Sequence, residues 1–240
     1  MSMFTYQTEV KYSQIDSDAL MTLTAMVDDI QNCSTMHVAK RGMPTMRLRE
    51  EFNQAWILNS WQIVIDRRPS LGEKIDVSTI PYEFKGGCGF RNFLIEDENK
   101  EKIVKVNSVW TLINAETGFP MRVSDAAKTG IELDEKLDME YLPRKIDLPD
   151  TQFEKKDVLK VRRYQLDTNN HVNNARYIDM ALDYIPEEAD ISMLRVQYNL
   201  PARKNDNIVV KTAKENNAYY VLLENEQGEL FVSLEFTERI

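Results

Sequence analysis

The sequence predicts an α+β fold of two successive units, each a curved antiparallel sheet wrapped around a long helix. Three observations point there. Segments of alternating apolar residues fall into two groups of five. In each group a helical stripe sits between the first and second strands. The residues leading into that stripe recur, "QIDSDAL" from Gln14 to Leu20 and "QLDTNNH" from Gln165 to His171, at a constant offset of 151. A helix needs its apolar stripe covered, and a twisted antiparallel sheet can wrap it.

Taken in order, the first group predicts strands over Phe4–Tyr12, Trp56–Asp66, Lys74–Phe84, Phe90–Glu96 and Ile103–Ile113. Leu20, Leu23, Val27 and Ile30 share one helical face, and Gly42 follows as a stop signal. The second group is shorter. It predicts a strand over Val158–Tyr164, a helix over Asn174–Ile185, and strands over Met193–Leu200, Ile208–Lys214, Tyr219–Glu224 and Leu230–Thr237. Residues 1–131 and 158–240 are the expected units. Residues 132–157, charged and carrying Pro143 and Pro149, read as a linker.

Composition narrows the function. The 240 residues carry a net charge of −9, which argues against nucleic acid because that partner needs a basic footprint. No apolar run approaches the ~18 residues of a membrane span, so stable insertion is not expected. The opening "MSMFTYQTEVKY" alternates like a strand and lacks the layout of a signal peptide. Two cysteines, Cys33 and Cys88, form no disulfide framework, which suits the cytoplasm. The glycine-rich "KGGCGF", Lys85–Phe90, joins two strands as a hairpin turn and does not cradle a phosphate. His37 has no second histidine at ligand spacing and reads as structural.

The two copies of the repeat are chemically unequal. Asp16, Asp18 and Leu20 in the first meet Asp167, Asn169 and His171 in the second. Asn173 is placed to cap the following helix. Unpaired N–H groups at a helix start suit a developing oxyanion, and an Asn amide can donate to the same oxygen. A histidine can take a proton from water at neutral pH. Asp167 can orient the histidine or act as the base itself. The set suits attack of water on an activated acyl carbonyl, although a capping loop with a packed histidine would use the same residue types. Seven of the 11 methionines lie in the first 46 residues, including Met21, Met26, Met36, Met43 and Met46. Such flexible thioethers either fill an ordinary core or line a slot for an alkyl chain.

Four stretches in order carry a family likeness: "IVIDRRPSLGEKIDVSTIP" (Ile63–Pro81), "GFRNFLIED" (Gly89–Asp97), "SVWTLINAETGFPMRVSD" (Ser108–Asp125) and "LDTNNHVNNARYIDMALD" (Leu166–Asp183). Together they resemble the plant and bacterial acyl-[acyl-carrier-protein] thioesterases, a tandem double-hotdog family, over nearly the whole chain. Asn92 replaces the family's usual Asp. Pro201 and Ala202 fall where its Glu and the plant enzymes' adjacent Cys would follow Tyr198. The resemblance implies hydrolysis of the thioester between a fatty acyl chain and the phosphopantetheine arm of acyl carrier protein, releasing free fatty acid. It places Asp167, Asn169 and His171 in the catalytic loop.

The expectation is a cytoplasmic hydrolase needing no metal or organic cofactor. Its second half supplies the chemistry, and its first half supplies the acyl pocket. Met21, Met26, Trp61 and Asn173 are the expected substrate contacts. Acyl carrier protein is acidic, so docking calls for a local basic patch, drawn from Lys155, Lys156, Arg162, Arg163, Arg203 and Lys204. An acyl-CoA thioesterase of the same fold, a hydratase on that scaffold, an inactive fatty-acyl binding protein and a homodimer stay open.

Overall fold

The computed structural model describes residues 3–240. Met1 and Ser2 of the alternating N-terminal run lie outside them. The chain divides into two compact units, one ending at Leu142 and the other running from Pro143 to Ile240.

In the first unit, strands β1 (Phe4–Glu9), β2 (Gln54–Ile65), β3 (Lys74–Lys85), β4 (Cys88–Glu96) and β5 (Lys102–Asn114) form an antiparallel sheet in the order β1-β3-β4-β5-β2. Helix α1 (Leu23–Lys40) begins where Thr22 Oγ1 accepts the Ala25 N–H at 3.1 Å. Leu23, Met26, Val27, Ile30, Cys33 and His37 are buried along one side of it, at the i, i+3, i+4 and i+7 spacing of a stripe laid on a sheet. Two helices have no counterpart in the predicted elements. α2 (Thr45–Phe52) is braced by an Arg47–Glu51 ion pair one turn apart and ended by Asn53 in the left-handed region, φ 52°. α3 is a single turn, Asp125–Lys128.

The second unit repeats the plan. β6 (Glu154–Lys160), α4 (Asn174–Leu182), β7 (Ile191–Tyr198), β8 (Asn207–Glu215), β9 (Ala218–Glu224) and β10 (Leu230–Glu238) give an antiparallel sheet ordered β7-β10-β9-β8-β6. Ala175, Tyr177, Ile178, Met180 and Ala181 are the buried residues of α4.

The predicted first strand of each unit ends late. β1 stops at Glu9 and β6 at Lys160, and a 3-10 turn follows each, Tyr12–Gln14 and Arg163–Gln165. Gln14 Oε1 takes the Lys11 N–H at 3.0 Å, and Gln165 Oε1 takes the Arg162 N–H at 2.7 Å, so each glutamine side chain closes its turn.

Residues 132–157 are not a free tether. Irregular backbone that leaves water must find partners, and buried side-chain amides supply them here. Asn92 Oδ1 accepts from Leu137 N–H (3.0 Å) and Tyr141 O–H (2.9 Å), and its Nδ2 donates to Val106 O (3.0 Å). That last bond needs an amide, because a carboxylate at this position could not donate. Gln62 binds Glu140 O and Leu142 N–H, at 2.9 and 3.0 Å. From Pro143 onward the segment joins the second unit. There Arg195 Nη2 donates to Pro143 O and Lys145 O, Gln197 Oε1 accepts from Ile146 N–H, and residues from Glu154 enter β6.

Candidate active site

Leu166 to Asn173 forms a loop folded on one carboxylate. Asp167 Oδ1 accepts the backbone N–H groups of Asn169 (2.8 Å) and His171 (3.2 Å), and Oδ2 accepts the Asn169 side-chain amide at 3.3 Å. Asp167 N–H donates to His171 O at 2.7 Å, and Asn170 turns the chain at φ 59°. Asp167 and His171 are half-buried, and Asn169 is exposed. The structure therefore gathers the three predicted residues on one turn, with Asn169 at its exposed side.

A second segment holds this turn in place. Ala202 O accepts the Val172 N–H at 2.9 Å, and Arg203 pairs with His171 as an isolated β-bridge. Ala202 N–H in turn donates to the buried Tyr177 hydroxyl of α4 at 2.9 Å. Burial pushes the Tyr177 phenol up to about 12, so the hydroxyl stays protonated at neutral pH. Ala202 is fully buried and acts through its backbone. Where the resemblance would put a Glu and, in plants, an adjacent Cys, this chain has Pro201 and Ala202, and the Ala202 backbone fastens the loop.

The helix start behaves differently from expectation. Asn173 Oδ1 accepts the Ala175 N–H at 2.9 Å, and its carbonyl takes the Arg176 N–H at 2.9 Å. Asn173 is the cap that the sequence predicts, and because it caps, those amides are spent on the protein and not held for an oxyanion.

The apolar residues expected to touch an acyl chain are packed inside the protein. Met21, Met26 and Trp61 are at most 1% exposed, and none lines the cleft of the first unit. The first unit does contain an apolar cleft, open to solvent, walled by Met43, Leu48, Trp56, Phe84, Phe90 and Trp110 among others. Met26 sits in the first turn of α1 and Met21 just before its cap, where both are buried. The space opens near its other end, where α2 turns away, and aromatic rings line it. Trp56 and Phe84 stack at 6.0 Å, and a Cβ on Gly89 would meet Trp56 at 3.1 Å, so glycine there sets how closely the wall closes.

Arg162, Arg163, Arg203 and Lys204 are exposed and flank the Asp167–His171 loop. Lys155 and Lys156 lie further along β6, roughly 15–20 Å away at strand spacing, and Lys156 pairs with Glu154 at 2.5 Å. No helix among the described residues is long and apolar enough to cross a membrane.

Comparison with known proteins agrees with this architecture. Residues 1–131 match the model of the acyl-ACP thioesterase N-terminal domain, and residues 139–236 match that of its C-terminal domain. The chain belongs to the acyl-ACP thioesterase family. Within that family it is 27% identical over 196 residues to the chloroplastic acyl-[acyl-carrier-protein] hydrolase FATB2 of Cuphea viscosissima, covering 75% of this chain and 46% of that protein. It is 21% identical to the chloroplastic oleoyl-acyl carrier protein thioesterase 1 of Arabidopsis thaliana, covering 82% and 60%. The chain thus spans about half the length of the first curated relatives it matches. An acyl-ACP thioesterase structure from Bacteroides thetaiotaomicron superposes with a TM-score of 0.89 at 24% identity, covering 99% of this chain and 98% of that one. The 12:0-ACP thioesterase from Umbellularia californica gives 0.88 at 17%, covering 100% and 98%. The fold is α+β, with two hotdog units in one chain.

Proposed function

We propose that this protein hydrolyses fatty acyl thioesters of acyl carrier protein, releasing free fatty acid in fatty acid biosynthesis. The observation that carries the reading is the Asp167 turn, which presents Asn169 and His171 together in a chain of this family. In this mechanism the Asn169 amide donates to the thioester carbonyl, and His171 takes a proton from the attacking water. The tetrahedral intermediate collapses, expelling the thiolate, which the imidazolium reprotonates. Asp167 is a positioning residue, since its carboxylate receives the N–H groups of both partners. A side-chain donor at an oxyanion is worth ~10²–10³ in rate, and a general base ~10²–10⁴.

The first unit's cavity is assigned to the acyl chain, with its aromatic walls in the role that Met21, Met26 and Trp61 were expected to fill. Asn173 is kept as a cap. Arg162, Arg163, Arg203 and Lys204 are the residues best placed to meet an acidic carrier protein, because they surround the loop. Lys155 and Lys156 are assigned a lesser part. A chain with a net charge of −9 needs such a local patch, since screening limits longer-range repulsion to about 8 Å at physiological salt. The cytoplasm is the compartment proposed, with Cys33 and Cys88 as free thiols.

Thiol release from acyl carrier protein and CoA thioesters of graded chain length tests this. The expected result is turnover on carrier-protein thioesters that falls with rising salt and with charge reversal at Arg162 and Arg203. Equal turnover on CoA thioesters would turn the assignment to an acyl-CoA thioesterase. Tight acyl-thioester binding without thiol release would turn it to a binding protein.

A further inference from the structure

The strap behind the Asp167–His171 loop is fastened in two ways, and one of them recurs in the first unit. The recurring one is an acid three residues on. Arg203 N–H donates to Asp206 Oδ2 at 2.7 Å, and Ser70 N–H donates to Glu73 Oε2 at 3.0 Å. The other is Tyr177. Its hydroxyl accepts the Ala202 N–H at 2.9 Å, and Ala202 O accepts the Val172 N–H at 2.9 Å. Tyr177 is 2% exposed and Ala202 is fully buried, so the bond between them is shielded from solvent. Tyr177 is itself held, because its ring packs 6.1 Å from that of Tyr198, whose hydroxyl donates to Asn174 O at 3.0 Å.

The first unit has neither partner of this bond. Helices α1 and α4 begin at Leu23 and Asn174, again an offset of 151, which sets Met26 in the place of Tyr177. Pro69, whose carbonyl receives the Met21 N–H at 2.8 Å, stands in the place of Ala202. Methionine offers a weak sulfur acceptor at most, and proline has no N–H to satisfy. The two changes match. The half that carries His171 has a donor and its acceptor, and the half that carries Leu20 has neither. Folding of the turn does not require the pair, because the first loop keeps the same aspartate bonds and the same left-handed residue without it.

We propose that Tyr177 is a positioning residue for thioester hydrolysis: through the Ala202 backbone, its hydroxyl fixes the imidazole of His171 against the attacking water. The proposal rests on the hydrolase reading above and adds a residue to that site. Two backbone links join the strap to the loop, Ala202 O to Val172 N–H and the Arg203–His171 bridge. A strap that loses its tie to α4 therefore moves the histidine with it. Proton transfer depends on placement, and a shift of about 1 Å caused from outside the site can cost ~10²-fold in rate.

Tyr177→Phe in the full chain tests this, since it keeps the ring and removes the hydroxyl alone. Thiol release from carrier-protein thioesters should show kcat lower by about 10–100-fold, with KM within about 2-fold of wild type. Amide hydrogen exchange adds a readout independent of turnover. Val172 N–H should exchange up to about 10-fold faster, while Met21 N–H, whose strap has no tyrosine, keeps its wild-type rate. Tyr177→Phe/Ala202→Pro adds the proline of the first unit's strap and leaves no orphan N–H. It should melt above Tyr177→Phe and stay as slow in kcat. That separates the tether from the cost of a buried unpaired N–H, and it decides the matter if Tyr177→Phe does not fold. Recovery of kcat together with melting temperature in the double variant would overturn the proposal. So would wild-type kcat or an unchanged Val172 exchange rate in Tyr177→Phe. Failure of the hydrolase reading looks different: the wild-type protein itself would release no thiol, while Val172 exchange would still respond to Tyr177→Phe.

Discussion

Two loops of this molecule share a backbone and differ in what they can do. In the first unit Asp16 Oδ1 accepts the N–H groups of Asp18 (3.0 Å) and Leu20 (3.2 Å), as Asp167 does for Asn169 and His171. Ala19 turns the chain at φ 60°, as Asn170 does at 59°. Met21 N–H reaches Pro69 O where Val172 N–H reaches Ala202 O, and Leu20 bridges Ser70 where His171 bridges Arg203. The aspartate and the strap behind it are therefore a scaffold common to both halves, and their presence alone says nothing of chemistry. Three exchanges make the difference. Leu20 and Asp18 become His171 and Asn169, and Arg68, which pairs with Asp16 in the first loop, gives way to Pro201.

The largest expected effect that sharpens this contrast is on turnover. Asn169→Asp copies the first loop's residue and removes the only donor that the account aims at the acyl oxygen. It should lower kcat by ~10²–10³ with the loop intact, because Asp18 supports the same turn. Steady-state thiol release checks it.

The next effect is on stability. Asp16→Ala and Asp167→Ala each strip an acceptor from two backbone N–H groups, so each should cost about 1–3 kcal/mol in chemical denaturation. Both should destabilise, and only Asp167→Ala should also abolish turnover. A stability loss confined to one of them would break the equivalence of the two scaffolds.

The smallest effect concerns pH. Burial by itself would raise the Asp16 carboxyl, but the Arg68 hydrogen bond and the loop N–H groups outweigh it and hold the group below the usual carboxylate range. A depressed carboxyl adds stability above its unfolded pKa, and that share is lost as pH falls through the folded value. Arg68→Met should therefore flatten the acid limb of a Tm–pH curve by a small margin, since the pair is partly exposed and screened. An unchanged limb would mean that the ion pair contributes nothing measurable.

Much of this was legible in the sequence for a physical reason. A repeated strand–loop–helix with one equipped copy shows itself as an aligned pair of heptapeptides, and the buried stripes of α1 and α4 follow helical spacing. Where periodicity failed, local burial explains it. β6 is an edge strand, "EKKDVLK", with almost every residue exposed, so no apolar alternation marks its start. β3 is buried on both faces from Ile75 to Pro81, and the strap of residues 134–142 that meets Asn92 and Gln62 is held by side-chain amides that carry no periodic signal. Helix α2 did leave a trace, in its Arg47–Glu51 spacing and the Asn53 that ends it. The spent helix-start amides were readable too, because an asparagine placed to cap consumes the donors that an oxyanion would need. The cavity was not readable, because its aromatic walls come from four separate elements whose meeting depends on sheet register.

The central claim is that one loop works and its twin only folds, and the double variant Asn169→Asp/His171→Leu tests it most directly by rewriting the second loop in the residues of the first. The account predicts a protein that melts within a few degrees of wild type and whose carrier-protein thioester hydrolysis falls at least ~10²-fold. Wild-type turnover in that folded variant would contradict it.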